Sequence, residues 1–507
     1  MEIIGRATGV HLCGMALLDM NNVAPHLERN SIVSIPQYRI HESGKYATYV
    51  IKVSIDSFTW TVERRYREFE SFDLKRFEDR KKSFLPPKKL VGNMDPEFLN
   101  ERRLELEKYI RAVVELDLWL QKRRRRFAMP TLIAHFLDFH EYEVHSIVED
   151  LSVRLGNLGD KWLHASASKP KYFEFTPIEL HAITERMKLA EPTANGDVHA
   201  DVANYVEFLH RVHNIKVRGM RGYVGTSNIV WNSLPFSLQL CKNLLALWVC
   251  DFDVRMINGL HTIRKTCRRL VVHYSMTKIS DLLIRSESGV PLENLERWSC
   301  LEDADFSFNQ LEQIDESVGL LEPIVRMDLS HNNLTDIGKH LQHLSSLCEL
   351  DLSHNGIEHL DDWHIKLGNV KRLRLAGNCI RSLEGLAKLY SLEFLDLTDN
   401  AISTPEDVAA VGGLPCLEHI ILRGNPVRQV VEYRTKVLES FGERAAEVRL
   451  DSRRADQREM DTVGVRLALK KAQREKEEQE RLRRLEIDRK IRFLSGDEPG
   501  VINTRSL

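Results

Sequence analysis

The sequence lacks a CxxC pair. Its eight cysteines are scattered, and Cys348, Cys379 and Cys416 sit inside repeated apolar segments. That pattern argues against a disulfide framework and for free thiols in a reducing cytosol. No apolar run approaches the roughly 18 residues that a membrane helix needs, so any membrane contact is peripheral. The opening MEIIGRATGVHLCGMALLDM carries an arginine and no sustained apolar core, so no signal peptide is expected. No GxxxxGKS/T loop, kinase motif set or GxSxG elbow occurs, so neither a catalytic residue nor a cofactor is expected and the chain reads as no enzyme. Charge of one sign is missing too. The 72 Lys+Arg and 74 Asp+Glu leave a net charge of −2, which gives no reason to expect nucleic acid as a partner. His140 and His145 stand five residues apart, whereas HExxH places both histidines on one helix face, so no metal site is expected.

What is present begins with a repeat. Leu347, Leu350, Leu352, Asn355 and Ile357 follow the pattern LxxLxLxxNxL, and so do the sets ending at Leu334, Ile380, Ile402 and Val427. Leu301, Ala304, Phe306, Asn309 and Leu311 form a looser copy. The asparagines fall at 309, 332, 355, 378, 400 and 425, so the spacings are 23, 23, 23, 22 and 25 residues. This is the leucine-rich repeat, a solenoid signature. The LxL core predicts a short strand with inward leucines and an outward middle residue. Each Asn is placed to satisfy turn backbone groups from inside the stack. The outward residues Asp305, Asp328, Asp351, Arg374, Asp396 and Ile421 form an acidic face with one arginine, which points to a basic partner surface. His331 and His354 occupy matching positions beside Asn332 and Asn355 and read as surface turn residues.

The 507 residues suffice for about three domains. Before the repeats, Ser34–Ile40, Tyr49–Ile55 and Phe58–Val62 alternate as strands of a three-stranded sheet. Helices are expected at about 68–80, 96–115 and 132–139, the last continuing into His140–His145. Between the first two lies Leu85-Pro86-Pro87-Lys88-Lys89. This stretch resembles the PX (phox homology) domain. The resemblance rests on Arg64-Arg65-Tyr66-Arg67-Glu68-Phe69, the proline loop and Glu101-Arg102-Arg103. It implies phosphoinositide binding, commonly of phosphatidylinositol 3-phosphate. It implies that Arg65 holds the 3-phosphate, Tyr66 stacks under the inositol ring, Lys88 with Lys89 meets the 1-phosphate, and Arg102 clamps the 4- and 5-hydroxyls. Those residue types suit a phosphorylated sugar ring, since arginine offers a planar fork to phosphate oxygens, lysine a point charge and tyrosine a flat face. The basic block Lys122–Arg126 is an exposed turn or a contact for anionic lipid.

The expected architecture is multidomain. A flexible leader (1–30) precedes the α+β PX domain (31–140). A helical connector (141–233) caps an α/β leucine-rich-repeat solenoid (234–451), whose first repeats, near Leu244–Val249 and Leu270–Val272, are worn. Thr176 and Glu179 read as a capping box opening a connector helix. Tyr433 and Phe441 are expected to shield the last leucines. A charged helical tail (452–507) ends in disorder, with Leu482, Leu485 and Ile491 leaving a short coiled coil as an alternative.

This order of domains, with segments such as Leu137–Glu143, Gly225–Ile229, Lys366–Val370 and Tyr433–Leu438, is similar to the nischarin (imidazoline-receptor candidate) family. The resemblance implies a cytoplasmic, non-enzymatic scaffold, peripheral on early or recycling endosomes. Its repeats would engage Rac- and Rab-type GTPases and p21-activated kinase. Family members continue into a region with an integrin-binding segment, which would begin about where this chain stops, so an integrin tail is not expected as a partner. The alternative is a regulatory subunit that holds a protein phosphatase in its repeats.

Overall fold

Period-two alternation builds the first sheet. β1 (Val33–Ile40), β2 (Ala47–Ile55) and β3 (Phe58–Arg65) pair antiparallel in that order. Tyr49, Ile51, Val53, Trp60 and Val62 are buried, while Lys52, Thr59 and Thr61 face out. The structure, a computed structural model, describes residues 32–55, 58–77, 84–89, 93–123, 131–164, 171–188, 203–220, 232, 234–284 and 291–495. The expected leader, Asp56, Ser57, Lys81, Lys82, Arg124–Arg126, Gly225–Ile229 and the stretch after Ser495 lie outside these residues. Among the described residues no helix is long and apolar enough to cross a membrane. The chain divides into two compact units, one running to Cys267 and the other starting at Arg268.

In the first unit, α1 (Tyr66–Arg76) and α2 (Pro96–Arg123) flank the proline loop. Phe69, Phe72, Leu99, Leu106 and Ile110 close over the sheet together with Phe136 and Phe139. α2 runs two turns beyond the expected end at Glu115. The helix expected to continue through His140 is instead two helices, Thr131–Phe136 and His140–His164. β3 imposes the break. Trp60 Nε1 donates to the Leu137 carbonyl (2.8 Å) and Arg64 Nε to the Phe136 carbonyl (3.0 Å). Asp138 turns left-handed (φ 48°), and its carboxylate meets Arg64 Nη2 at 2.7 Å.

The rest of this unit carries strands as well as the expected helices. β4 (Phe173–Phe175), β5 (Asn214–Arg218) and β7 (Ala246–Cys250) pair in parallel. β6 (Phe236–Ser237) and β8 (Ile257–Asn258) form a separate parallel pair. β4 and β5 are too short for their alternation to stand out in a sequence. Thr176 and Glu179 do form a capping box: the Glu179 carboxylate accepts from Thr176 N (2.8 Å), and Thr176 Oγ1 accepts from Glu179 N (3.4 Å).

The second unit is the leucine-rich-repeat solenoid. β9 (Arg269–His273), β10 (Asp303–Asp305), β11 (Arg326–Asp328), β12 (Glu349–Asp351), β13 (Arg372–Arg374), β14 (Phe394–Asp396), β15 (His419–Ile421) and β16 (Arg449–Leu450) stack in parallel register. Their inward residues, Leu270 through Leu450, are fully buried. The asparagines act as expected. Asn378 Nδ2 donates to the Leu375 and Leu352 carbonyls (both 3.0 Å), and its Oδ1 accepts from Ile357 N (3.1 Å). Asn332, Asn355, Asn400 and Asn425 repeat this arrangement. Just before each ladder asparagine stands a left-handed residue: Phe308, His331, His354, Gly377, Asp399 and Gly424.

In the cap, Phe441 is buried, and half-buried Tyr433 donates to the Asp451 carboxylate. Asp451 Oδ1 accepts from Leu422 N (2.9 Å), whose counterparts Leu329, Leu352, Leu375 and Leu397 donate to the backbone carbonyl of the next strand. The tail helix Gln457–Ser495 is not exposed throughout. Val463 is buried, and Arg434–Glu459 (2.6 Å), Arg466–Glu432 (2.5 Å) and Lys470–Glu439 (2.6 Å) pin its first turns to the cap. Leu482, Leu485 and Ile491 lie on its exposed remainder.

Removing a ladder asparagine orphans buried backbone groups in two repeats at once. Asn378→Ala is expected to destabilise the protein by about 3 kcal/mol, read as a lowered urea midpoint. A loss under about 0.5 kcal/mol would contradict the ladder's role.

Candidate functional site

The junction of β3 and α1 sets the first site. Arg65 is the last strand residue, and its backbone N–H donates to Glu68 Oε2 (2.8 Å), which starts the helix at Tyr66. Side chains alternate across this end of the strand. Arg64 turns to the Phe136 carbonyl and Asp138, whereas the Arg65 guanidinium lies over the Tyr46 ring at 3.5 Å. His41 stacks on the same ring at 4.4 Å.

Tyr66 and α2 then fix the proline loop. Tyr66 Oη donates to the Pro86 carbonyl (2.5 Å) and Arg102 Nη2 to the Pro87 carbonyl (3.3 Å). The Arg102 guanidinium is held between two rings, 4.4 Å from Tyr66 and 4.2 Å from Phe98. Lys89 Nζ shares the Phe98 ring at 4.7 Å. Lys88 Nζ reaches Glu70 at 2.6 Å, at the surface. Tyr66, Lys88, Lys89 and Arg102 are thus joined to one another or to the loop, and Arg65 leaves the strand beside Tyr66. Arg103 turns away to the Ile35 carbonyl (2.5 Å), which separates its role from that of Arg102.

The electrostatics of this cluster are unusual. Arg102 is only 8% exposed, and its Nε has no hydrogen-bond partner. Among the described residues, Arg65, Lys89 and Arg102 have no carboxylate partner. A buried cation ordinarily has one, because leaving water is costly. Burial pushes the Tyr66 and Tyr49 phenols above their usual range despite Arg102 beside them. One face of Tyr66 is taken by Arg102, so at most the other is open to a ring. Tyr46, Phe98 and Glu70 were not legible as site residues, since nothing in their spacing distinguishes them from packing aromatics and a surface carboxylate. The far side of the loop is apolar. A cavity of about 780 Å³ is lined by Phe77, Phe84, Leu85, Tyr109 and Val113, among others, and Phe84 is 63% exposed.

The solenoid's outward row proves to have a structural role. Asp305, Asp328, Asp351 and Asp396 each accept from the backbone N–H two residues on, at 2.9–3.1 Å, from Ser307, Ser330, Ser353 and Thr398. These are Asx turns at the strand ends. The aspartates share register on neighbouring strands, interrupted by Arg374. Asp305 also meets His273 Nε2 at 3.0 Å. Burial pushes its carboxyl up, but bonds from His273 and Ser307 outweigh that and hold it below the usual carboxylate range. Ser307, His273 and Asp305 are not a catalytic triad. The same imidazole nitrogen meets both partners, and Ser307 bonds Asp305 directly (2.7 Å). His331 and His354 stack face to face at 4.3 Å, and Phe308 stacks on His331 at 4.2 Å. The next member must be small: a Cβ on Gly377 (φ 66°) would collide with His354 Nδ1.

Comparison with known proteins agrees with both modules. The PX domain model matches residues 52–129, and the leucine rich repeat model matches 305–357 and 347–402. Mouse kinesin-like protein KIF16B is 42% identical over 85 residues, 16% of this chain and 6% of that protein. Human serine/threonine-protein kinase 11-interacting protein is 29% identical over 221 residues, 42% of this chain and 19% of its own length. Rat sorting nexin-20 is 36% identical over 99 residues, 18% of this chain and 31% of that protein. The chain therefore matches only a minor part of each. It carries a PX domain followed by leucine-rich repeats.

Asp328 gives a test of the aspartate row. Burial raises its pKa, and Asp351 and Asp305 add to the rise. A carboxyl with a raised folded pKa disfavours folding once ionised, and that penalty is absent below its unfolded pKa. Asn keeps an oxygen for Ser330 N without the charge. Asp328→Asn is therefore expected to stabilise the protein at pH 7, with the gain vanishing as pH falls toward about 4. Melting temperatures across that range check it, and a variant destabilised at pH 7 contradicts it.

Proposed function

We propose that this chain is a non-enzymatic adaptor of the nischarin type. Its PX domain binds phosphatidylinositol 3-phosphate on endosomal membranes, and its repeats hold signalling proteins. The carrying observation is the set of cations without counter-ions around the proline loop, above all Arg102, nine-tenths buried with an unused Nε. Such a cluster is completed by a multivalent anion, and phosphate oxygens match the fork of arginine. Arg65 binds the 3-phosphate, Lys88 and Lys89 the 1-phosphate, and Arg102 the ring hydroxyls, with Tyr66 supporting the ring. Lys88 exchanges Glu70 for the phosphate. Exposed Phe84 sits on the loop that carries the lysines, so head-group binding brings an apolar edge to the bilayer. The relatives of this chain include a sorting nexin, which favours an endosomal address.

On this reading the partners at the repeats are Rac- and Rab-type GTPases and p21-activated kinase. Lipid and protein contacts act together: a modest head-group site gains residence from a second tethered contact through effective concentration. Arg65→Ala with Lys88→Ala is expected to abolish cosedimentation with vesicles containing phosphatidylinositol 3-phosphate and leave the melting curve unchanged. Undiminished sedimentation would remove the assignment.

A further inference from the structure

The acidic row says less about the partner than its sequence implies, because each aspartate is engaged at its own turn. The repeat that breaks the row says more. Where aspartate stands, the residue two places on is Ser or Thr; after Arg374 it is Ala376. Arg374 therefore has no turn to hold. Its guanidinium and that of Arg372 both lie over the Phe394 ring, at 5.6 and 4.8 Å. Other cations of this face are paired: Arg326 with Asp303 (3.4 Å) and Lys371 with Glu393 (3.0 Å). Arg372 has no carboxylate within 4 Å among the described residues, although Glu349 stands opposite it in register. Arg374 has only Asp351 at 3.9 Å, beyond hydrogen-bond reach. Phe394 continues in register to His419, and Arg374 through Asp396 to Ile421. All of these side chains are half-exposed.

We infer that Arg372, Arg374 and Phe394 form a docking point for an acidic peptide segment with an apolar residue beside its carboxylates. Arg372 and Arg374 leave one strand about 7 Å apart at their backbones, on the same side, a spacing that two carboxylates of one segment can span. Phe394 and Ile421 supply the apolar neighbour. The ring steadies both guanidiniums without neutralising them, so the charge complement comes from outside. The inference rests on the reading of the repeats as a partner surface, and it reverses the sign of partner expected from the aspartates.

The test uses the full chain on a peptide array graded in net charge, with and without apolar residues. The Arg65→Ala/Lys88→Ala protein runs alongside, to remove capture of acidic peptides by the lipid site. Acidic peptides containing an apolar residue are expected to be retained by both proteins. Arg372→Ala with Arg374→Ala is expected to lower that retention about tenfold at an unchanged melting temperature. Arg372→Lys with Arg374→Lys should lose less, because it keeps the charge but not the fork. Equal retention by the alanine pair overturns the inference. Preference for basic peptides overturns it while leaving the repeats as a partner surface; retention of no peptide at all overturns both.

Discussion

A strand end inside a solenoid leaves backbone groups that water cannot reach, and the ladder asparagine is what satisfies them. Each one binds carbonyls of its own turn and of the repeat before it, and accepts an N–H from that earlier repeat. Because the bonds cross the repeat boundary, they fix the register of the parallel strands, and the register places every outward side chain. The cap must satisfy its strand end as well. Leu422 N, whose counterparts in earlier repeats donate to a carbonyl of the next strand, donates to the Asp451 carboxylate, and Tyr433 holds Asp451. The tail helix is pinned to that cap through Glu432, Glu439 and Glu459, so the last repeat is closed by the same network that starts the helix.

This explains why so much of the second unit was legible. A buried amide that must be Asn, flanked by leucines that must be apolar, repeats at fixed spacing and leaves a trace in residue identity. β4 and β5 leave no such trace, since three to five residues of alternation are too few to separate from background. The break at Leu137–Phe139 was equally hidden. It depends on Trp60 and Arg64, more than seventy positions away, and not on a local helix breaker. The outward aspartates were legible as a charged row but not as turn-makers, because their partners are backbone N–H groups. Only the pairing of each with Ser or Thr two places on hinted at it.

The residues proposed to meet a head group were named by their motif; the side chains packed around them were not. Arg65, Tyr66, Lys88, Lys89 and Arg102 are of types that phosphate chemistry demands. Tyr46 and Phe98 are aromatic residues of ordinary appearance whose place under a guanidinium exists only after β1–β2 and α2 have folded.

Both units hold arginines on aromatic rings. Arg65 lies on Tyr46, Arg102 between Tyr66 and Phe98, and Arg372 with Arg374 on Phe394. A carboxylate would position a guanidinium more strongly, but it would also occupy the N–H donors and cancel the charge. A ring contacts the flat face and leaves the donor edge open. Arg64 and Arg434 are held differently: Arg64 is tied to Asp138 and a carbonyl in addition to the Phe136 ring, and Arg434 to Glu459 and a carbonyl. A carboxylate partner thus fixes Arg64 and Arg434 within the fold, whereas a ring leaves Arg65 and Arg372 charged, and that is the property on which the proposed anion contacts depend.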